Sequence, residues 1–425
     1  MGRAGARRLT DIEPLRRRTV GVLVAGVALG STGHLAALTV ATVVAERLTG
    51  TPALAGTPAA AVVLGAALGA TSLAWVMSLR GRRIGLSLGY LVGVTGALVA
   101  VAAIVAGQLP LLLAGSLLIG FGNSSNQLSR YAAADLYPPD RRASAIGTVV
   151  WAATVGAVVG PNLVSPSGSL ATALGLPGLA GPYLMPVVFV GLASLLSFLF
   201  LRPDPMELAA STVALDTAVA AQPLSRILRR PAVVAALVAL VVGQFVMVLI
   251  MTLTPLHMTS HHHDLGAVGL VLSAHTFGMY ALAPISGRLT DRFGSPPIVY
   301  AGTAVLLVSG ILTAVAPADD PLVLLVALFL LGWGWNLGFV AGSAMLTGGV
   351  SLAERTRIQG LADGLIWSTA ALASLGSGVI VGMAGFAALG VIGSALVLLP
   401  IAVLTLARRR IGADRPGQGM LPLGD

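Results

Sequence analysis

The sequence predicts an all-α membrane protein with twelve transmembrane helices in two pseudo-symmetric six-helix halves, and three observations carry that prediction. Of 425 residues, 56% are hydrophobic and only 10% charged, where an ordinary soluble domain carries about 25% charged residues. The apolar residues fall in runs close to the roughly 20 residues that a helix needs to cross a bilayer. All 25 basic residues are arginine and cluster between those runs: Arg16 to Arg18, Arg80 with Arg82 and Arg83, Arg141 with Arg142, Arg229 with Arg230, and Arg408 to Arg410. This placement assigns the net charge of +9 to loops at a membrane surface and excludes a nucleic-acid stripe. The 53 glycines and 24 prolines are scattered through apolar runs, where membrane helices tolerate them. With no cysteine, the chain has no disulfide, thiolate metal site or cysteine nucleophile.

Reading from one polar break to the next, the spans fall near 19–46, 54–79, 84–107, 109–136, 143–163, 183–201, 231–258, 265–287, 297–316, 321–348, 358–383 and 385–407. With both termini cytoplasmic, 23 of the 25 arginines lie inside, Arg47 lies outside and Arg130 falls within span four. The positive-inside rule then sets the orientation of a multi-pass protein of the plasma (inner) membrane. The first run is too long for a signal-peptide core and is retained as span one.

The least hydrophobic interior stretch, 202–230, holds Arg202, Asp204, Glu207, Asp216 and the basic segment ending at Arg230, and reads as a cytoplasmic linker. It divides an N-terminal half, 1–201, from a C-terminal half with a cytoplasmic tail, 231–425. Internal repetition supports the division. Gly30 and His34 of span one match Gly243 and Met247 of span seven, at an offset of 213. Gly120, Phe121, Gly122 and Asn123 echo Gly332, Trp333, Gly334 and Asn336, and Trp151 with Gly160 matches Trp367 with Gly376.

Between spans eight and nine, Gly287, Arg288, Leu289, Thr290, Asp291, Arg292, Phe293 and Gly294 resemble the GxLxDRxG loop of the major facilitator superfamily. That resemblance implies the major facilitator fold and a secondary transporter whose halves rock about a midplane site, with Gly287, Asp291 and Arg292 in charge contacts that open and close. The equivalent loop of the first half keeps Gly81, Arg82 and Arg83 but has Ser78 where the acid belongs. In span five, Gly147, Gly156, Gly160 and Pro161 resemble the superfamily's glycine-rich antiporter signature, suited to close helix packing and a kink. Neither a nucleophile beside a base nor a phosphate loop occurs, so no enzyme activity and no cofactor is expected.

Spans seven and eight carry Met247 and Met251 as MxxxM, and His275 and Met279 as HxxxM, each pair on one helix face. Counted from the outer ends, Met247 and His275 both lie roughly 15 Å deep, near the height where secondary transporters hold cargo. Thioether and imidazole together suit Cu(I), although methionine is also a common filler of membrane interiors. Five of six histidines, His257, His261, His262, His263 and His275, fall within 19 residues. His257 to His263 read as a metal-capture loop at the outer mouth or as a solvated turn. His34 either completes a site across the cavity or bonds a neighbouring helix. The MxxxM and HxxxM pairs, 24 residues apart from Met251 to His275, resemble the CcoA-type copper importers of the superfamily. That resemblance implies copper as cargo, held by Met247, Met251, His275 and Met279 with His34 as a helper; related carriers move other solutes, including riboflavin.

Span four presents a different chemistry, since Asn123, Asn126, Gln127 and Arg130 recur at helical spacing as one polar face. An arginine at mid-membrane costs about 3 kcal/mol on insertion scales, so Arg130 must line a cavity or pair with an acid, Asp135 and Asp363 being the candidates. Such a face suits a small organic or anionic solute, moved by a carrier or a proton-coupled exporter. The expected partners are thus the lipid bilayer and a small solute or metal ion.

Overall fold

The computed structural model describes residues 3–51, 54–213, 222–263, 265–317, 320–348 and 350–413. Asp216 of the linker, Asp264 beside the histidine loop and the tail beyond 413 lie outside them. Every regular element among the described residues is a helix. The first half comprises α1 (Arg3–Thr49), α2 (Thr57–Ala106), α3 (Leu109–Asp135), α4 (Arg142–Trp151), α5 (Ala153–Asn162), α6 (Val164–Ala173) and α7 (Gly181–Phe200). Two short helices follow, α8 (Pro205–Val213) and α9 (Leu224–Ile227). The second half runs through α10 (Pro231–Met251), α11 (Thr254–Ser260), α12 (Leu265–Tyr280), α13 (Ala283–Phe293), α14 (Ser295–Val315), α15 (Pro321–Gly348), α16 (Leu352–Ala384), α17 (Ala387–Leu396) and α18 (Leu398–Ala413).

Ten helical segments among the described residues are long and apolar enough to cross a membrane. One of them, the 50-residue α2, would extend about 75 Å if straight, more than twice the hydrocarbon thickness. It is a hairpin of two spans, turned at Gly81, whose φ of 84° and ψ of 169° are closed to residues with a side chain. The arms lie back to back: a Cβ on Gly89 would come within 2.4 Å of Leu73, and one on Gly85 within 2.2 Å of Met77. The 27-residue α3 supplies the remaining crossing; its residues from Asn123 onward dilute its apolar character. Twelve crossings result, as the sequence predicts.

Breaks inside spans have local causes. Span five is interrupted at Ala152 and again at Leu163, two residues after Pro161, and continues as α6 through residues read from sequence as a loop. Span eight breaks between Tyr280 and Ala283, where Pro284 withdraws a backbone donor. Span seven stops at Met251 ahead of Pro255.

The two halves use the same contacts. Gly120 of α3 lies against Val62 of α2 as Gly332 of α15 lies against His275 of α12; Gly122 meets Gly93 as Gly334 meets Gly302. In lipid the apolar effect does not bring helices together, and close backbone approach through small residues takes its place. The same device joins the halves. Gly147 of α4 sits under the Ala283 carbonyl of α13, and Gly287 of α13 sits 2.5 Å, measured from its absent Cβ, from the Ala143 carbonyl of α4. Gly360 and Gly364 of α16 likewise meet Ala74 and Thr71 of α2.

Candidate functional site

The site grows from the polar face of α3. Tyr90 Oη donates to Asn126 Oδ1 (2.9 Å), and Asn126 Nδ2 donates to Asn123 Oδ1 (3.1 Å). Gly30 of α1 makes room, because a Cβ there would overlap the Asn126 carboxamide. One turn on, Arg130 is 1% exposed and every nitrogen is used. Its Nη1 donates to the Gln127 carbonyl (2.6 Å) and Oε1 (3.3 Å), its Nε to Ser343 Oγ (3.3 Å), and its Nη2 to Tyr131 Oη (3.0 Å) and Asp363 Oδ1 (2.5 Å). The guanidinium lies 4.2 Å from the ring centres of both Tyr131 and Phe339. Of the two acids offered by the sequence, Asp363 is therefore the partner. Asp135 serves elsewhere, taking Arg82 at 2.8 Å and Arg355 at 3.3 Å.

Arg130 forms one wall of a central cavity of about 30 Å³, with Val27 and Ser31 of α1, Asn126, Gln127, Tyr280 and Phe339 among its lining. That volume holds a water or two, so the site is closed around itself. Phe339 stacks on Trp335 at 4.5 Å and 20°, and Tyr280 meets Trp335 edge-on at 6.2 Å. Trp335 Nε1 donates to Gln244 Oε1 at 2.8 Å. Flat π faces beside amide and guanidinium donors can grip a planar, hydrogen-bonding solute.

Beyond the bonds of Arg130 to Ser343 and Asp363, further polar bonds join the halves toward the arginine-bearing end. Arg82 Nη2 donates to Gln359 Oε1 as well as to Asp135. Asp291 accepts the backbone N–H groups of Ala143 (3.0 Å) and Ser144 (2.9 Å), an acid at a helix N-terminus. Arg292 is exposed, its guanidinium 5.2 Å from the Phe293 ring centre. In the first half, Ser78 bonds back to Trp75 of its own helix. The missing acid comes instead from the linker: Asp204 accepts the N–H groups of Arg82 (3.1 Å) and Arg83 (2.9 Å). Glu354 holds the other end of the linker, accepting from Gln222 N (3.0 Å) and Arg230 Nη1 (3.2 Å). Gly156 and Gly160 of span five pack on Ser31, Thr32 and Leu35 of α1, within the first half.

The soft-ligand positions are set differently. Met247 and Met279 are buried in the apolar core, Met251 is half-buried as the last residue of α10, and α10 and α12 each pack on α15. His275 Nδ1 donates to the Leu328 carbonyl of α15 (2.9 Å), leaving Nε2 as a bare lone pair, buried and without a partner. His34 bridges two helices, its Nδ1 facing the Gly30 carbonyl (2.6 Å) and its Nε2 the Ile119 carbonyl of α3 (3.1 Å). At the outer histidine loop, no group of three His, Cys, Asp or Glu side chains among the described residues is placed to hold a metal ion, Asp264 lying outside them. His257 stacks on Phe386 at 4.0 Å, His261 Nδ1 donates to the His257 carbonyl, and His262 takes a φ of 63°. His263 also has its own contacts.

Sequence reasoning missed Asp204, Ser343, Gln359, the cap formed by Glu354 and the aromatic column. Glu354 was readable as the last residue of Ser351-x-x-Glu354, a capping-box spacing. The column has a trace in the i, i+4 spacing of Trp335 and Phe339.

Comparison with known proteins agrees with this architecture. A family model described as Major Facilitator Superfamily matches residues 20–266 and again 246–421, overlapping matches that together span both halves. The uncharacterized MFS-type transporter YdeG of Bacillus subtilis is 36% identical over 402 residues, covering 93% of each chain. The riboflavin transporter RfnT of Brucella anthropi is 31% identical over 411 residues, covering 95% of this chain and 99% of that one. Among solved structures, the human organic anion transporter MFSD10 superposes with a TM-score of 0.73 at 19% identity, over 92% of this chain and all of that one. The transporter FucP, solved in an outward conformation, superposes with a TM-score of 0.70 at 15% identity, over 91% of this chain and 98% of that one. Those two likenesses establish the fold. The glycine contacts repeated in each half, the Asp291 contact and a family match over nearly the whole length make this chain a multi-pass membrane transporter, not an enzyme, that belongs to the major facilitator superfamily.

Proposed function

We propose that the chain carries a planar, hydrogen-bonding organic solute of the flavin class across the plasma membrane by alternating access. One observation carries the reading: the buried Arg130, held between Tyr131 and Phe339, lines the central cavity with Asn126, Gln127 and the Tyr280 ring, and Trp335 stacks on Phe339 behind them. Stacking on aromatic faces with a few fixed polar groups is how such sites hold a flat heterocycle. The likeness to the riboflavin transporter RfnT, at 31% identity over nearly full length, supports the same cargo class. The arginine-bearing end is cytoplasmic by the positive-inside rule. The polar inter-half bonds at that end among the described residues support the reading of a state closed to the cytoplasm.

The test is uptake of radiolabelled riboflavin by cells lacking their own riboflavin uptake and synthesis. Uptake above empty vector, lost in Arg130→Gln and in Phe339→Ala while both proteins reach the membrane, supports the reading; no uptake with correct insertion overturns it.

A second reading, copper import through Met247, Met251, His275 and Met279, is favoured by one observation, the unpartnered Nε2 of His275. Copper uptake under reducing conditions that disappears in His275→Ala, with riboflavin uptake absent, would select it.

A further inference from the structure

A second cavity, of about 600 Å³, lies at the arginine-bearing end between the halves, far roomier than the central one. Tyr137, Asp140 and Arg141 line it from the first half, and Arg288, Asp291 and Arg292 from the second. Val20 of α1 and Ala145 of α4 add an apolar portion to its lining, beside Ser144 and Thr148. The three arginines are exposed, and none forms an ion pair among the described residues. Of the two acids present, Asp291 is committed to the backbone of Ala143 and Ser144. Arg16 adds a further cation from α1, 5.8 Å from the Tyr137 ring centre.

Three guanidinium groups against two carboxylates, one of them held by backbone amides, leave the groove net cationic, and the free guanidiniums match the planar, bidentate oxygens of a phosphate. The apolar lining and the position where α4 begins and α13 ends, at the level of membrane headgroups, match a phosphate that carries acyl chains. The groove exists only while α4 and α13 touch through Gly147 and Gly287. A ligand that binds one conformation and not the other shifts the equilibrium toward the first. We propose that this groove binds the headgroup of an anionic phospholipid, which clamps the two halves together at the arginine-bearing end. The proposal is independent of which solute is carried.

The full chain is reconstituted in nanodiscs of phosphatidylcholine with and without phosphatidylglycerol. One spin label per half at this end, on introduced cysteines, reports the ratio of closed to open molecules; the chain has no native cysteine to interfere. Phosphatidylglycerol is expected to raise that ratio about fivefold, from roughly 1 kcal/mol for the groove's one net positive charge near an anionic surface. Arg141→Gln with Arg288→Gln should abolish the rise, and Arg141→Lys with Arg288→Lys, which tests whether the site simply collapses, should retain most of it. Arg80→Gln with Arg229→Gln removes the same charge away from the groove and should leave the rise intact. Three results overturn the proposal: no response to phosphatidylglycerol, equal loss in the Arg80 and Arg229 control, or a full response to soluble glycerol phosphate in neutral nanodiscs. The second would mean diffuse surface charge, and the third a free phosphate in place of a lipid.

Discussion

The Arg130–Asp363 pair joins α3 to α16 across the two halves, so it exists in the closed arrangement and is lost when the halves part. Both side chains are 2% exposed, which places the pair in the class where removing one partner leaves an uncompensated charge. Such a removal costs about 3–5 kcal/mol, whereas replacing both partners by apolar side chains of similar volume is close to neutral. Asp363→Leu strands a guanidinium that still has Ser343, Gln127 and Tyr131 as partners, and the lower end, about 3 kcal/mol, is the expected loss. The closed-to-open ratio should fall by about 150-fold. Arg130→Met should behave similarly, and the double variant should return to within roughly tenfold of wild type. Double electron–electron resonance across the arginine-bearing end measures the populations, and the three variants complete a double-mutant cycle. Strictly additive effects, or single variants with an unchanged distance distribution, would refute the view that this pair latches the halves.

Three further outcomes follow from the packing and the caps. Gly147→Leu and Gly287→Leu each push a side chain into a facing carbonyl, so cysteines behind the seam should become alkylated by membrane-impermeant reagents in inside-out vesicles; unchanged labelling counts against a glycine seam. Asp291→Asn removes a charge from the α4 N-terminus and should weaken the closed state by about 0.5–1 kcal/mol, a severalfold shift in the same resonance measurement. Trp335→Ala should cost planar-solute binding about 1 kcal/mol beyond lost area, read as a weaker equilibrium constant by isothermal titration with membrane insertion intact; unaltered affinity would remove the aromatic column from the site.

How much of this was legible in the sequence depends on the range of the interaction. Apolar runs and arginine clusters follow from bilayer physics residue by residue, so spans, repeats and the polar face of α3 could be read directly. Arg130 demanded an acid by its cost alone, yet choosing Asp363 over Asp135 needed the positions of α3 and α16, 233 residues apart in sequence. The soft-ligand pairs show the reverse. MxxxM and HxxxM each share a helix face as their spacing requires, but spacing says nothing about the third helix, and α15 draws His275 to its Leu328 carbonyl. The histidine loop shows the same limit, because a residue count does not reveal that His261 bonds the main chain or that His257 stacks on Phe386.

The role of Asp204 bears on how the protein can be cut. Its carboxylate caps the second arm of α2, more than 100 residues earlier in the chain, and also receives the N–H of Met206. A fragment ending at Leu201 would carry all six of its membrane crossings yet leave the amides of Arg82 and Arg83 without their acceptor. For split expression or domain exchange, the scission that keeps the first bundle whole therefore lies after Val213, downstream of the point where the last membrane helix ends.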